Sequence, residues 1–156
     1  IISLEDILQL WSKVKDLFER DFLKAEVPNS FRHLNQEGQS QTNNAFSNKW
    51  IKYRKEEQEN QERFFQFQKQ WYLELYDFSS EDNLKRYLKK QSVIIDAGRG
   101  LGYKAKCFAD PSPETLVIGM DYSDAAFVAA EKYKVVQNLV FFGDIAETKI
   151  KDGAIS

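Results

Sequence analysis

The chain has 156 residues, enough for one domain that buries about 70 % of the surface its unfolded form exposes. Apolar residues make up 42 %, aromatic ones 14 %, and the net charge is only -2; this excludes wholesale disorder and argues against a nucleic-acid surface, whose footprint is a basic stripe. A single cysteine, Cys107, and a single histidine, His33, exclude an internal disulfide and offer no ligand-spaced cluster for zinc.

No run approaches the roughly 18 to 20 apolar residues of a membrane span, and no signal peptide is visible, so the cytoplasm is the default compartment. The chain starts at Ile1 without a methionine, as a processed piece of a longer protein would. Its first segment, SLEDILQLWSKVKDLFERDFL, predicts an amphipathic helix over 4–22, with Ser3 as N-cap and an apolar stripe through Leu4, Ile7, Trp11, Val14 and Phe18. That stripe needs a partner surface, its own domain or another subunit. Residues 29–48 are rich in Asn, Gln and Ser and read as a polar loop carrying His33 at the surface.

From Lys55 the pattern is helical again, and Phe64, Phe67, Trp71 and Leu75 mark one apolar face. Phe78 and Ser79 close that helix, and Ser80 caps a short one that buries Leu84, Tyr87 and Leu88. The period then changes. SVIIDAG, TLVIGMD and NLVFFGD are short β-branched or aromatic runs, separated by LGYKAKCFAD and by YSDAAFVAAEKYKVV, both helical, with Ser123 capping the second. Strand, helix, strand, helix, strand, with strands of continuous apolar character, predicts a Rossmann-like parallel sheet covered on both faces, with the three strands side by side. The division expected is an N-terminal helical region over 1–90 and the first half of an α/β domain over 91–156, whose first strand leaves an apolar sheet edge to be covered by the N-terminal helices, a second copy or further chain.

In an open parallel sheet, ligands bind beyond the carboxyl ends of the strands, and all three predicted strands end there in an acid: Asp96, Asp121 and Asp144. In DAGRGLG, Gly98 can turn the chain out of the strand, Gly100 can admit a ligand against the backbone, and Gly102 can bring the next helix tight onto the sheet. A dinucleotide fingerprint requires G-x-G-x-x-G, but Tyr103 stands at its third glycine; a P-loop requires G-K-[ST], which is absent. Three carboxylates repel a pyrophosphate and suit a ligand that donates from hydroxyl and amino groups.

The stretch from Val93 to Ser156, about 40 % of the chain, resembles the N-terminal half of a class I S-adenosylmethionine-dependent methyltransferase, whose first motif (D/E)xGxGxG appears as DAGRGLG. The resemblance implies that Asp96, Ala97, Gly98, Gly100 and Gly102 hold the methionyl part of S-adenosyl-L-methionine. It also implies that Asp121 takes the ribose hydroxyls, that Tyr122 lies against the adenine, and that Asp144 and Ile145 meet the adenine edge. Trp50 and Tyr53 fall in an aromatic strip that in some members closes over the cofactor. Arg99 stands where the family has a small residue. The implied activity is methyl transfer to a small-molecule acceptor, with acceptor-binding and catalytic residues beyond Ser156; the alternative is a non-catalytic module that binds an adenosyl ligand or regulates a partner. Self-association through the sheet edge or helix 4–22 is compatible with either. Lys104 has no role in the motif and its loss is expected to be neutral.

Overall fold

A computed structural model of the chain describes residues 4–19, 22–24, 29–33, 58–98, 101–121, 125–143 and 150–152. In chain order the elements are α1 (Leu4–Leu17), β1 (Phe22–Lys24), β2 (Ser30–His33), α2 (Gln58–Leu75), α3 (Glu81–Leu88), β3 (Val93–Ala97), α4 (Tyr103–Ala109), β4 (Leu116–Met120), α5 (Ala125–Lys132) and β5 (Leu139–Gly143).

The three apolar runs form β3, β4 and β5, parallel neighbours in register from Val93 beside Leu116 and from Val117 beside Leu139. All five residues of β4 and all five of β5 are buried, as strands covered on both faces require. Alternate side chains supply two cores. Val117, Leu139 and Phe141 point toward α4 and α5, where Ala105, Ala129 and Ala130 meet them. Ile118, Met120, Val140 and Phe142 point the other way, toward Val14 and Phe18 at the end of α1. Helices α4 and α5 lie on one face together, as two consecutive crossovers of one hand stepping in one direction must. The first helix is thus spent on its own domain. It ends at Leu17, short of the expected 22, and Phe22–Lys24 is a strand instead; the side chains of Leu4, Ile7 and Trp11, and the caps proposed at Ser3 and Ser123, lie outside the described residues.

The N-terminal region is not purely helical, and the sheet is larger than three strands. Its order is β1-β2-β5-β4-β3, with β2 parallel to β5 and β1 antiparallel to β2, so four strands run parallel and a fifth opposes them. Residues 30–33, expected in a loop, are a strand because their polar groups are satisfied by β5. Asn29 Nδ2 donates to Leu139 O at 3.3 Å, Phe141 N donates to Asn29 O at 2.9 Å, and Phe31 stacks on Phe142 with centroids 5.2 Å apart. His33 therefore pairs with Phe22 in the β1–β2 ladder. The N-terminal strands occupy the β5 side, and among the described strands β3 stays at the opposite edge.

Helix α2 forms where its period placed it, but its expected apolar face is turned outward: Phe64, Phe67, Trp71 and Leu75 are all about half exposed or more, while Phe65 and Leu73 are buried. Leu73 meets Leu84 and Leu88 of α3, and that cluster extends to Ile94 and Phe108. Tyr87 is half exposed and touches Phe78, so α3 buries two of its three expected residues. Ser80 caps α3, accepting from Asn83 N at 3.2 Å. The preceding helix stops at Asp77, whose φ of 57° is left-handed, with Phe78 N donating back to Leu73 O at 2.8 Å.

Candidate functional site

The carboxyl ends of β3, β4 and β5 come level because the ladders continue past the strands. Gly98 N donates to Met120 O at 2.9 Å, and Asp121 N donates to Phe142 O at 3.0 Å. These two bonds set Gly98 and Asp121 beside each other at the sheet's end, with Ala97 exposed at the close of β3 and in register with Met120. Gly98 has φ 73°, a left-handed value that favours glycine, and among the described residues a side chain there would meet nothing within 4 Å. Gly102, φ 78°, is different: a Cβ would stand 2.9 Å from the Phe141 ring and 3.0 Å from Ala129. Its missing side chain is what lets α4 begin directly on β5 and α5. Gly119 and Gly143 likewise leave room for Phe141 and Phe127.

Asp96 shares the face of Ile94 and is buried, its side chain 1 % exposed. A buried carboxylate needs a compensating charge, and Lys104 supplies it, with Nζ 2.8 Å from Asp96 Oδ1. Lys104 sits in the first turn of α4, where a cation is disfavoured by the helix dipole; the carboxylate beneath offsets this. The ammonium also donates to Tyr76 Oη at 3.4 Å. Burial works to lower the Lys104 pKa, but the hydrogen bond and charge of Asp96, with Tyr76 adding, hold it above the ordinary lysine value of 10.5. The lysine expected to be dispensable is thus bonded to the motif's own acid, because the helix starts early enough to hang it over the strand end.

A second cation, Lys132 of α5, lies over the Tyr103 ring at 4.5 Å and donates to its hydroxyl at 3.4 Å. Tyr103 in turn meets Phe64 and Phe65 of α2 at 6.0 and 5.9 Å between centroids. These contacts tie the residue after the glycine loop to both flanking helices. Cys107 lies deeper in α4, and burial pushes its thiol up to about 11, with Lys69 opposing and Asp110 adding. It is protonated at neutral pH and unsuited to nucleophilic work.

The structure therefore sets Ala97, Gly98 and Asp121 at the strand ends, with Asp96 buried in β3 and Gly102 packed on Phe141 at the start of α4; Arg99, Gly100, Tyr122, Asp144 and Ile145, and the strip with Trp50 and Tyr53, lie outside the described residues. A recess lined by Gln9, Leu10, Pro113, Glu114 and Asn138 opens at the amino ends of the strands, the far end from this constellation. Among the described residues no cluster of His, Cys, Asp or Glu is placed to hold a metal ion, and no helix is long and apolar enough to cross a membrane. Sequence reasoning missed Lys104 and Tyr76; the only available signal was a lysine placed two residues past Gly102, in the turn where helices favour acids. No family model matches the chain, and no curated protein matches it.

Proposed function

We propose that the chain is the cofactor-binding part of an S-adenosylmethionine-dependent methyltransferase acting on a small-molecule acceptor. The observation that carries this reading is the juxtaposition of Gly98, left-handed where the chain leaves β3, and Asp121, ending the adjacent strand. A nucleoside fits such a pair: the glycine admits it against the backbone, and the aspartate accepts from the two ribose hydroxyls. Ala97, Gly98, Gly100 and Gly102 would hold the amino-acid part, with Asp96 buried beneath them and Tyr122, Asp144 and Ile145 around the adenine. When bound, the cofactor supplies an electrophilic methyl on sulfonium. This chain's contribution is to fix that ligand's position and to keep one wall of its site dry, while alignment of the acceptor needs residues that the glycine loop and strand ends do not supply.

One observation favours a second reading, a non-catalytic adenosyl-binding or partner-regulating module. Asp96 is neutralised by Lys104 at 2.8 Å and has less charge to offer a cationic ligand than an unpaired strand-end acid would have. Calorimetric titration with S-adenosylhomocysteine, the stable product form, tests the shared part of both readings. One site per chain with micromolar affinity is the expected result, and Asp121→Ala should weaken it by about 2 kcal/mol while Lys89→Ala, on the exposed end of α3, leaves it unchanged. Equal losses from the two substitutions would remove Asp121 from the site. Methyl transfer to a panel of small nucleophiles by the full-length protein then separates enzyme from binding module.

A further inference from the structure

The ion pair at the root of the glycine loop has an orientation. Its negative end, Asp96, is sealed in the core at 1 % side-chain exposure, whereas its positive end, Lys104, is 24 % exposed. Of the two charged groups, the ammonium is therefore the one with surface to offer a ligand. An ammonium has three donors. Among the described contacts, one goes to Asp96 Oδ1 at 2.8 Å and one to Tyr76 Oη at 3.4 Å, which leaves a third donor on the ammonium. The Tyr76 ring, 6.0 Å from Nζ, and the buried aspartate hold the side chain in place. A lysine fixed by two protein partners loses little further freedom when it takes a third.

We propose that Lys104 is a specificity-determining residue of this loop, which takes the carboxylate of an amino-acid-bearing adenosyl ligand and so selects it over adenosyl ligands without one. The inference rests on the adenosyl reading above. A single carboxylate suits the place better than a phosphate group, because Asp121 ends the neighbouring strand and repels a second negative charge. Asp96 is then a positioning residue: it holds Lys104 rather than touching the ligand's ammonium itself.

The test uses two probes on the whole chain, S-adenosylhomocysteine and 5′-methylthioadenosine, which share the nucleoside thioether and differ in the amino-acid portion. Lys104→Gln leaves Asp96 an N–H donor but no charge, and Lys104→Arg keeps both; circular dichroism and thermal melting establish that each variant is folded. The expected result is that K104Q binds S-adenosylhomocysteine at least tenfold more weakly than the unsubstituted chain does, binds methylthioadenosine within twofold of it, and that K104R retains the preference. If K104Q weakens both probes alike, or neither, while the unsubstituted chain binds both, the assignment of Lys104 falls and the adenosyl reading stands. If the unsubstituted chain binds neither probe, both fall together.

Discussion

On one side of the sheet the core is made of small helix residues, Ala105, Ala109, Ala126, Ala129 and Ala130, set against strands that carry Gly119 and Gly143. On the other it is made of large ones, with Phe18, Phe31 and Phe142 filling the space beneath α1. The small-residue side lets α4 and α5 approach closely, so the glycine loop is fixed by backbone and ring contact. The large-residue side is held by volume. The two sides of a single sheet are therefore vulnerable to opposite insults, added atoms on the first and removed atoms on the second. The candidate site sits on the side that tolerates additions least.

The largest effect is expected from emptying the large-residue side. Phe142 is fully buried with Phe18 at 4.7 Å and Phe31 at 5.2 Å between centroids, so Phe142→Ala should cost about 3–5 kcal/mol, read as a lowered urea midpoint at unchanged slope. Overfilling the other side comes next. Gly102→Ala combines a left-handed φ of 78° with a Cβ 2.9 Å from Phe141, and should cost about 2–4 kcal/mol. Gly98→Ala, with a similar φ of 73° and nothing within 4 Å among the described residues, should cost only about 1 kcal/mol; the difference between the two isolates the packing share. Equal losses would mean that close approach of α4 does not set the loop.

Alkaline pH acts on the same side through α4. The Cys107 thiol is raised from 9.0 to about 11, so the unfolded chain releases that proton first and stability falls as pH climbs from about 9 toward 11. The Lys104 pKa is also raised, so its contribution is full below 10.5 and is lost as pH rises through its higher folded value. Urea midpoints measured from pH 7 to 11 should therefore decline on the alkaline side, with Cys107→Ala flattening the first part of the fall. Smallest of all, Phe67→Ser on α2 removes a ring that is 69 % exposed, and should move stability by no more than about 0.5 kcal/mol in the same unfolding assay.

The apolar runs of β3, β4 and β5 and the helices between them were legible because each carries its own period, and because β4 and β5, buried at every position, have no polar residue to confuse the reading. Spacing also gave the amphipathic character of α2 but not its orientation. Phe64, Phe67, Trp71 and Leu75 form a better stripe than Phe65 and Leu73, yet α3 and α4 cover the latter pair. Periodicity reports that a helix has two faces; which of them is covered depends on a neighbour. Residues 29–33 were read as loop because Asn29, Ser30 and Arg32 are polar, and the burial of Asn29 and Ser30 is made possible by carbonyls and amides of β5 that no local pattern announces. At the strand ends, the apolar pattern placed Asp96 in β3 and Asp121 just after β4. It could not indicate that Asp96 is buried, and hence that a lysine eight positions on would be needed to neutralise it.

The pairing of β2 with β5 also orders events in time. Asn29 bonds to a residue 110 positions away, whereas partners in β4 and β5 are only about 20 apart. Closing the longer loop costs about 1.4 kcal/mol more chain entropy, so the β3–β4–β5 ladder forms ahead of it. On the ribosome the disparity is starker, because the surface that receives residues 30–33 does not exist until residue 143 has been added. The earlier strand of the pair waits for its place while the residues up to 143 are added, and stopped-flow refolding should register its docking as the slower step.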